Sequence, residues 1–475
     1  MSEHNTNALE LDADQMREIG YRVVDMLVER ISTLRAQPAR VPATRHQLDA
    51  LLVESAPEHA ARFEDVLNRL QSDVLAYGAR VDHPRFMAFV PGSPTWPGVL
   101  GDMIAAAHQS FAGTWLGGAG VAALELVVLD WFREWLGMPP GTSGLLLSGG
   151  SAANLTAIAA ARATMLGEDF QNATIYFSSE THSSVERACR ILGFSNDKVR
   201  ILPADDDARL PVAALRRAVA DDAAAGLRPF FIIANAGTTT AGAIDPLPEI
   251  AQFARERGMW FHVDAAYGGF AAITQRGKNW LAGIEHSDSV TLDPHKWLHQ
   301  PFEVGCLLMR DPQILTNAFH IMPDYLQDTL TTGAEVNFAD RGIQLTRSAR
   351  AIKIWLSIQY FGLSAFRTAI DATLDHAIAA QQHIKNSPSL ELLSPARLGI
   401  VCFRRIVDKP IDESALDTLN ARILADLTTS GFAMISSTKI DSHFALRFCI
   451  LNHRTTRADV LQVLKWIEDF NVEVS

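Results

Sequence analysis

SVTLDPHKWLH, residues 289–299, sets a short apolar run against a lysine held between a histidine and a tryptophan. Lysine is usually a solvated surface charge, so its bulky neighbours ask for a reason. Working outward, similar apolar runs recur on both sides. They are GLLLSGG at 144–150, ATIYFSS at 173–179, KVRILPA at 198–204, FFIIANAG at 230–237, WFHVDAAY at 260–267 and VGCLLM at 304–309. Helical stretches follow several of them: from Ser151, near 182–192 and near 246–257. Short buried strands alternating with helices predict an α/β fold with a mostly parallel sheet covered on both faces. Ligands of such sheets bind beyond the carboxyl ends of the strands. Lys296 stands at one of those ends.

The flanks read differently. Met16, Ile19, Val23, Leu27, Ile31 and Leu34 form one stripe over 14–35, and a second amphipathic helix is predicted over 57–77. Two helices make a poor domain by themselves, so they are expected to pack on something else, such as a second subunit. Beyond an apolar helix at 347–361, the pattern is helix 365–385, strand 398–406, helix 412–430, strands 432–440 and 443–451, and helix 456–470. The expected division is a helical segment 1–80, a large domain 81–362 and a small α+β domain 363–475.

The 475 residues carry a net charge of −12, which argues against nucleic acid or an anionic membrane as the main partner. Four scattered cysteines give neither a disulfide framework nor a metal spacing. The polar, acidic start does not read as a signal peptide, and no apolar run is expected to reach the length of a membrane span. A reducing, cytoplasmic compartment is the expectation. HExxH fails around His295 and His299, and no metal is expected.

Lys296 is either a lysine snorkelling over Trp297 or, desolvated at the mouth of a site, an amine of lowered pKa able to form a Schiff base with a carbonyl such as pyridoxal 5′-phosphate (PLP). A PLP site also needs an acid near the pyridine nitrogen, a flat group against the ring and donors around the phosphate. Asp264, in HVDAAYGG, is the acid, or else a helix N-cap. His182, in SSETHSSVERA, is the flat group, or else a polar cap residue. Gly150 and Ser151, in GGSAANL, open a helix whose amides suit an anion. Thr239, in GTTTAGAID, suits a ring substituent, and Asp245 reads as a turn residue. The long segment 316–335 reads as a lid with Tyr325 on it.

Together these residues resemble the PLP-dependent group II amino acid decarboxylases, and within them the aromatic-L-amino-acid decarboxylases. HVDAAYGG at 262–269, DPHKWL at 293–298 and THSSVERA at 181–188 carry the resemblance. HPRF…P…W…D within 83–102, LDW at 129–131, PDYLQ at 323–327 and LRF at 446–448 extend it over roughly 14–470. It implies the PLP-dependent transferase fold type I and a homodimer acting on a small amino acid. It implies that Lys296 holds PLP, that Asp264 pairs with the ring nitrogen, and that His182 and Ala266 lie on its two faces. Thr239 would approach the ring hydroxyl, with Gly150, Ser151 and His295 by the phosphate. Tyr325 would return a proton to Cα once carbon dioxide has left. Aldehyde-forming relatives typically carry phenylalanine there.

Three departures from the family pattern bear on substrate and cofactor. Asp293 stands where many relatives have Asn near the phosphate, and an acid there needs a donor, for which His295 is the candidate. Val90-Pro91-Gly92 replaces an aromatic-Pro-Thr. Thr346 replaces Gly or Ser, which disfavours a large indole. Phe86, Phe89, Trp96, Phe111 and Trp115 either line an aromatic pocket or belong to the core. A non-aromatic substrate, an oxidative aldehyde-forming route and transamination stay open.

Overall fold

The computed structural model describes residues 9–321, 333–408 and 411–471. A seven-stranded sheet lies at its centre. Across it the strands are ordered Ser143–Leu147, Gly305–Met309, Ser289–Leu292, Trp260–Asp264, Arg228–Asn235, Ala173–Ser178 and Val199–Leu202. Gly305–Met309 is antiparallel to both neighbours, and every other neighbouring pair is parallel. Strands covered on both faces need near-continuous apolar sequence, and Leu145–Leu147, Phe230–Ala234 and Cys306–Met309 are all fully buried. Helix Gly150–Met165 lies across the strands Gly305–Met309, Ser289–Leu292 and Trp260–Asp264. Helices Val212–Ala224 and Leu247–Arg257 pack on Arg228–Asn235.

Helix Trp115–Trp135 corrects one expectation, because by length and composition it does reach that of a membrane span. Its buried side, Val128, Leu129 and Phe132, joins the core beside strand Ser143–Leu147. Its Glu125 is buried against Arg347 at 2.6 Å, and that guanidinium also binds the carbonyls of Ala112 and Leu146.

The C-terminal sheet is ordered Leu390–Arg397, Ile400–Arg405, His443–Cys449, Met434–Ile440 and Phe86–Met87. The last, a two-residue strand parallel to Met434–Ile440, was not foreseen. It stitches the segment before the large sheet to the far end of the chain. The two helices expected at 347–361 and 365–385 form one element, Ala351–Asn386, bent at Gly362, whose φ of 73° suits glycine. Its Ile354, Ile358, Phe366, Ile370 and Leu374 enter the core of the large sheet, while Ala377, Ala380 and Ile384 enter that of the small one.

At the N-terminus, helix Ala13–Thr33 starts with a capping box between Asp12 and Gln15. The second expected helix is shorter than predicted: Phe63–Arg69, prolonged by a π turn over Leu70–Leu75, with an unforeseen helix Arg45–Leu52 before it. Met16, Phe63, Val66, Leu70 and Val74 are exposed in the single chain, and of the second apolar stripe only Leu67 is buried.

Candidate active site

Five strand exits meet at one edge of the large sheet, as the parallel order requires. They are the turns after Leu147, Ser178, Asn235, Asp264 and Leu292. They enclose a cavity of about 370 Å³ lined by Gly150, Ser151, His182, Thr239, Asp264, Ala266, His295 and Lys296, together with Asn154, Ser184, Asp293 and Glu303. Every residue assigned to the PLP site from the sequence borders it except Tyr325, which lies outside the described residues.

The bulky company of Lys296 anchors its turn. Trp297 and Leu298 are fully buried. The Trp297 indole donates to Thr373 Oγ1 at 3.2 Å and stacks on Tyr267 at 5.4 Å. The Tyr267 hydroxyl in turn accepts the amide of Gly399 at 2.8 Å. With that side fixed, Lys296 projects into the cavity, its Nζ 2.9 Å from Asp293 Oδ2. The lowered lysine pKa expected from burial is not found. Burial does work against the charge, but the facing carboxylates of Asp293 and then Asp264 outweigh it, and the pKa is raised. His295 is not the donor to Asp293 either, because its Nε2 is 3.7 Å from Oδ2, beyond hydrogen-bond reach. The amide of Val304 donates to His295 Nδ1 at 3.3 Å, which leaves the proton of the neutral ring on Nε2.

Asp264 ends its strand and caps the following turn: Ala266 N donates to Oδ1 at 3.1 Å. Asn154 Nδ2 donates to Oδ2 at 2.9 Å and to Ser184 Oγ at 3.0 Å. Behind it runs a buried relay absent from the sequence reading. The Trp260 indole donates to Ser289 Oγ at 2.9 Å, and Ser289 bonds His262 Nδ1 at 2.7 Å. His262 Nε2 and Thr291 Oγ1 both reach Asn154 Oδ1, at 3.1 and 2.7 Å. Burial pushes the His262 pKa down to about 4, so its ring is neutral. All four hydrogen-bonding positions of Asn154 are thereby filled.

His182 takes the capping reading and also borders the cavity. Its Nδ1 accepts the amide of Ser184 at 3.2 Å and caps helix Ser183–Ile191, while the ring faces the cavity. Asp245 is a buried turn residue that accepts the amides of Leu210 and Asn235 at 2.7 and 2.6 Å. Of the five aromatic residues considered for a pocket, Phe89 borders an adjoining groove of about 640 Å³, alongside Phe302, Thr240, Ser436 and Arg447. Phe86 and Trp115 pack into the core instead. Thr346 is exposed and lines neither space. At Gly92, a Cβ would come within 1.8 Å of the His295 carbonyl. The threonine usual at that position cannot fit this backbone.

Comparison with known proteins agrees with this geometry. Residues 45–406 match the family model described as the pyridoxal-dependent decarboxylase conserved domain. The chain is 39% identical to an aromatic-L-amino-acid decarboxylase of Bacillus atrophaeus over 98% of each protein. It is 30% identical to a phenylacetaldehyde synthase of Arabidopsis thaliana, covering 97% of this chain and 96% of that one. The crystal structure of Oryza sativa TDC with PLP and tryptamine superposes with a TM-score of 0.93 at 28% identity, covering 97% of this chain and 98% of that one. With the lysine, the acid and the glycine turn on one cavity, the chain belongs to the pyridoxal-dependent decarboxylase family and is a PLP-dependent carboxy-lyase of fold type I.

Proposed function

We propose that this enzyme decarboxylates an aromatic L-amino acid, of the phenylalanine, tyrosine, dihydroxyphenylalanine or tryptophan type, to its amine and carbon dioxide, with Lys296 carrying PLP. The single observation behind the assignment of roles is the meeting of Lys296, Asp264 and His182 on one cavity. The cavity fits the cofactor. At Gly150 a Cβ would fill the space between Ala266 and Asp293, 3.1 Å from each, so the turn is open only because it is glycine. It also opens a helix of 16 residues, whose first amides suit a phosphate. When bound, PLP supplies a pyridinium ring into which the electrons of the broken Cα–carboxylate bond can spread.

The protein does the rest. Lys296, whose Nζ reaches the cavity, would hold the cofactor. Asp264, its plane held by Asn154 and Ala266, would pair with the ring nitrogen. His182, fixed by Ser184, and Ala266 would hold the ring between them. Thr239 would take the ring hydroxyl, and Gly150, Ser151 and His295 Nε2–H would take the phosphate. The walls orient the carboxylate for departure and exclude water. Tyr325 is placed by sequence alone as the acid at Cα, and its being tyrosine favours the amine over the aldehyde.

The aromatic substrate is supported by what the Bacillus relative is named for and by Phe89 and Phe302 at the outer groove. A second reading, an acidic amino acid, has one observation in its favour. Arg447 borders that groove as a cation, its Nε and Nη1 holding Thr240, Phe89 and Ser436. A homodimer is supported by the exposed apolar N-terminal helices, and a reducing compartment by four free, buried cysteines. The test is to give PLP-loaded enzyme a panel of amino acids and measure carbon dioxide, amine, aldehyde, keto acid and peroxide together. Equimolar amine and carbon dioxide from an aromatic amino acid is expected. Aldehyde with peroxide, keto acid without carbon dioxide, or turnover confined to an acidic substrate would overturn the reading.

A further inference from the structure

Asp293 is a carboxylate in the place where an anion has to sit. It is 3% exposed. Its Oδ2 holds Lys296 Nζ at 2.9 Å, and its Oδ1 is buried with no partner among the described residues. Both oxygens look onto the glycine turn. A Cβ on Gly150 would stand 3.1 Å from Oδ2, and one on Gly149 would stand 3.9 Å from Oδ1. Among the described residues lining the cavity, Lys296 is the one lysine or arginine, against Asp264, Asp293 and Glu303. Glu303 already pairs with Arg350 at 2.8 Å, and Asp264 has its two donors. Asp293 depends on Lys296 alone, and one ammonium cannot offset both this carboxylate and an arriving phosphate dianion. Two anions in contact in a buried site do not both stay ionised.

We propose that Asp293 makes cofactor loading proton-linked: its carboxylate, the counter-ion of Lys296 in this structure, takes up one proton from solvent when a phosphate group settles in the Gly149–Gly150 turn. Protonated, it turns from a repelling anion into a donor to that phosphate. The other groups facing it do not supply this proton. His295, on the same turn, is kept neutral by burial, with its proton on Nε2. His182, the cap of helix Ser183–Ile191, faces it too and is also kept neutral by burial, its Nδ1 accepting the Ser184 amide. Cys306, from strand Gly305–Met309, has its thiol pushed well up by burial. Asp264 and, farther off, Glu125 are already held by donors.

The proposal rests on the PLP site, not on which amino acid is consumed. Its test uses the full chain stripped of cofactor and two probes without an aldehyde, deoxypyridoxine phosphate and deoxypyridoxine, so that Lys296 does not react. Calorimetry in buffers of different ionisation heat counts protons. The expected result is about one more proton taken up with the phosphorylated probe in the wild type than in Asp293→Asn. The ratio of the two affinities should fall about tenfold per pH unit more steeply in the wild type, over roughly pH 6–8. Phosphorus NMR of the bound probe in the wild type should report a dianion, placing the proton on the protein even if the variant does not fold. Equal proton counts in the two forms, or a bound monoanion, overturn the role of Asp293. Failure of both probes to bind either form overturns the cofactor site itself.

Discussion

Replacing Lys296 by Ala removes the one amine that reaches the cavity among the described residues. Turnover is expected to vanish, and borohydride reduction of PLP-treated protein should leave no covalent adduct at that peptide, as mass spectrometry can show. Asn154 makes a subtler case. Asn154→Ala leaves His262 Nε2, Thr291 Oγ1 and Asp264 Oδ2 without their shared partner, and a cost of about 1–3 kcal/mol is expected from urea denaturation. PLP affinity should fall as well, because Asp264 loses the donor that fixes its plane. A variant as stable as the parent would show the relay to be ornamental. Lys296, Asp264 and His182 were legible in the sequence because each follows an apolar run, where a polar residue marks a strand exit. Asn154 and His262 were not, since an Asn within a helix and a His within a strand look like ordinary core positions until their partners are known. The ion pair between Asp293 and Lys296 was likewise invisible, because spacing along a chain says nothing of where two side chains point.

Among elements, the turn before helix Gly150–Met165 offers a clean separation of stability from binding. Gly150→Ala raises helix propensity by up to about 1 kcal/mol but fills the space beside Ala266 and Asp293. Thermal stability without cofactor is expected to hold, while PLP titration should show at least tenfold weaker binding. Gly92→Ala should behave otherwise. Its Cβ meets the His295 carbonyl at 1.8 Å, so the turn bearing Lys296 must move, with a loss of about 1–3 kcal/mol and weakened PLP binding together. Strand positions were the most legible part of the sequence, because buried parallel strands write themselves as apolar runs. The strand Phe86–Met87 was not, since two residues carry no periodicity and its partner lies some 350 positions away. The bend at Gly362 was read as a break between two helices, although the element continues through it.

For the whole molecule, buried imidazoles set the response to acid. Burial pushes His83 and His262 down to about 4. Both are neutral in the fold and charged in the unfolded chain below about pH 6.5, so stability is lost as pH falls, by about 1.4 kcal/mol per unit for each. Asp245, raised to about 6 by burial, works in the opposite sense. His453, pushed down to about 3, and His299, pushed well below its usual value, add to the loss. The net expectation is a fall in stability between roughly pH 6 and 4, visible as lower urea midpoints at pH 5 than at pH 7; equal midpoints would contradict it. The exposed stripes of the N-terminal helices, together with an apolar helix Trp115–Trp135 that is mostly uncovered, lead us to expect sedimentation as a pair of chains. Deleting residues 1–80 should then yield aggregates. The bent helix Ala351–Asn386 lends its first half to one core and its second half to the other. Neither half of the enzyme is therefore a detachable cassette: a graft of the C-terminal unit onto a foreign scaffold would have to bring its spine along, and recombination between relatives should succeed at crossover points outside that spine and fail within it.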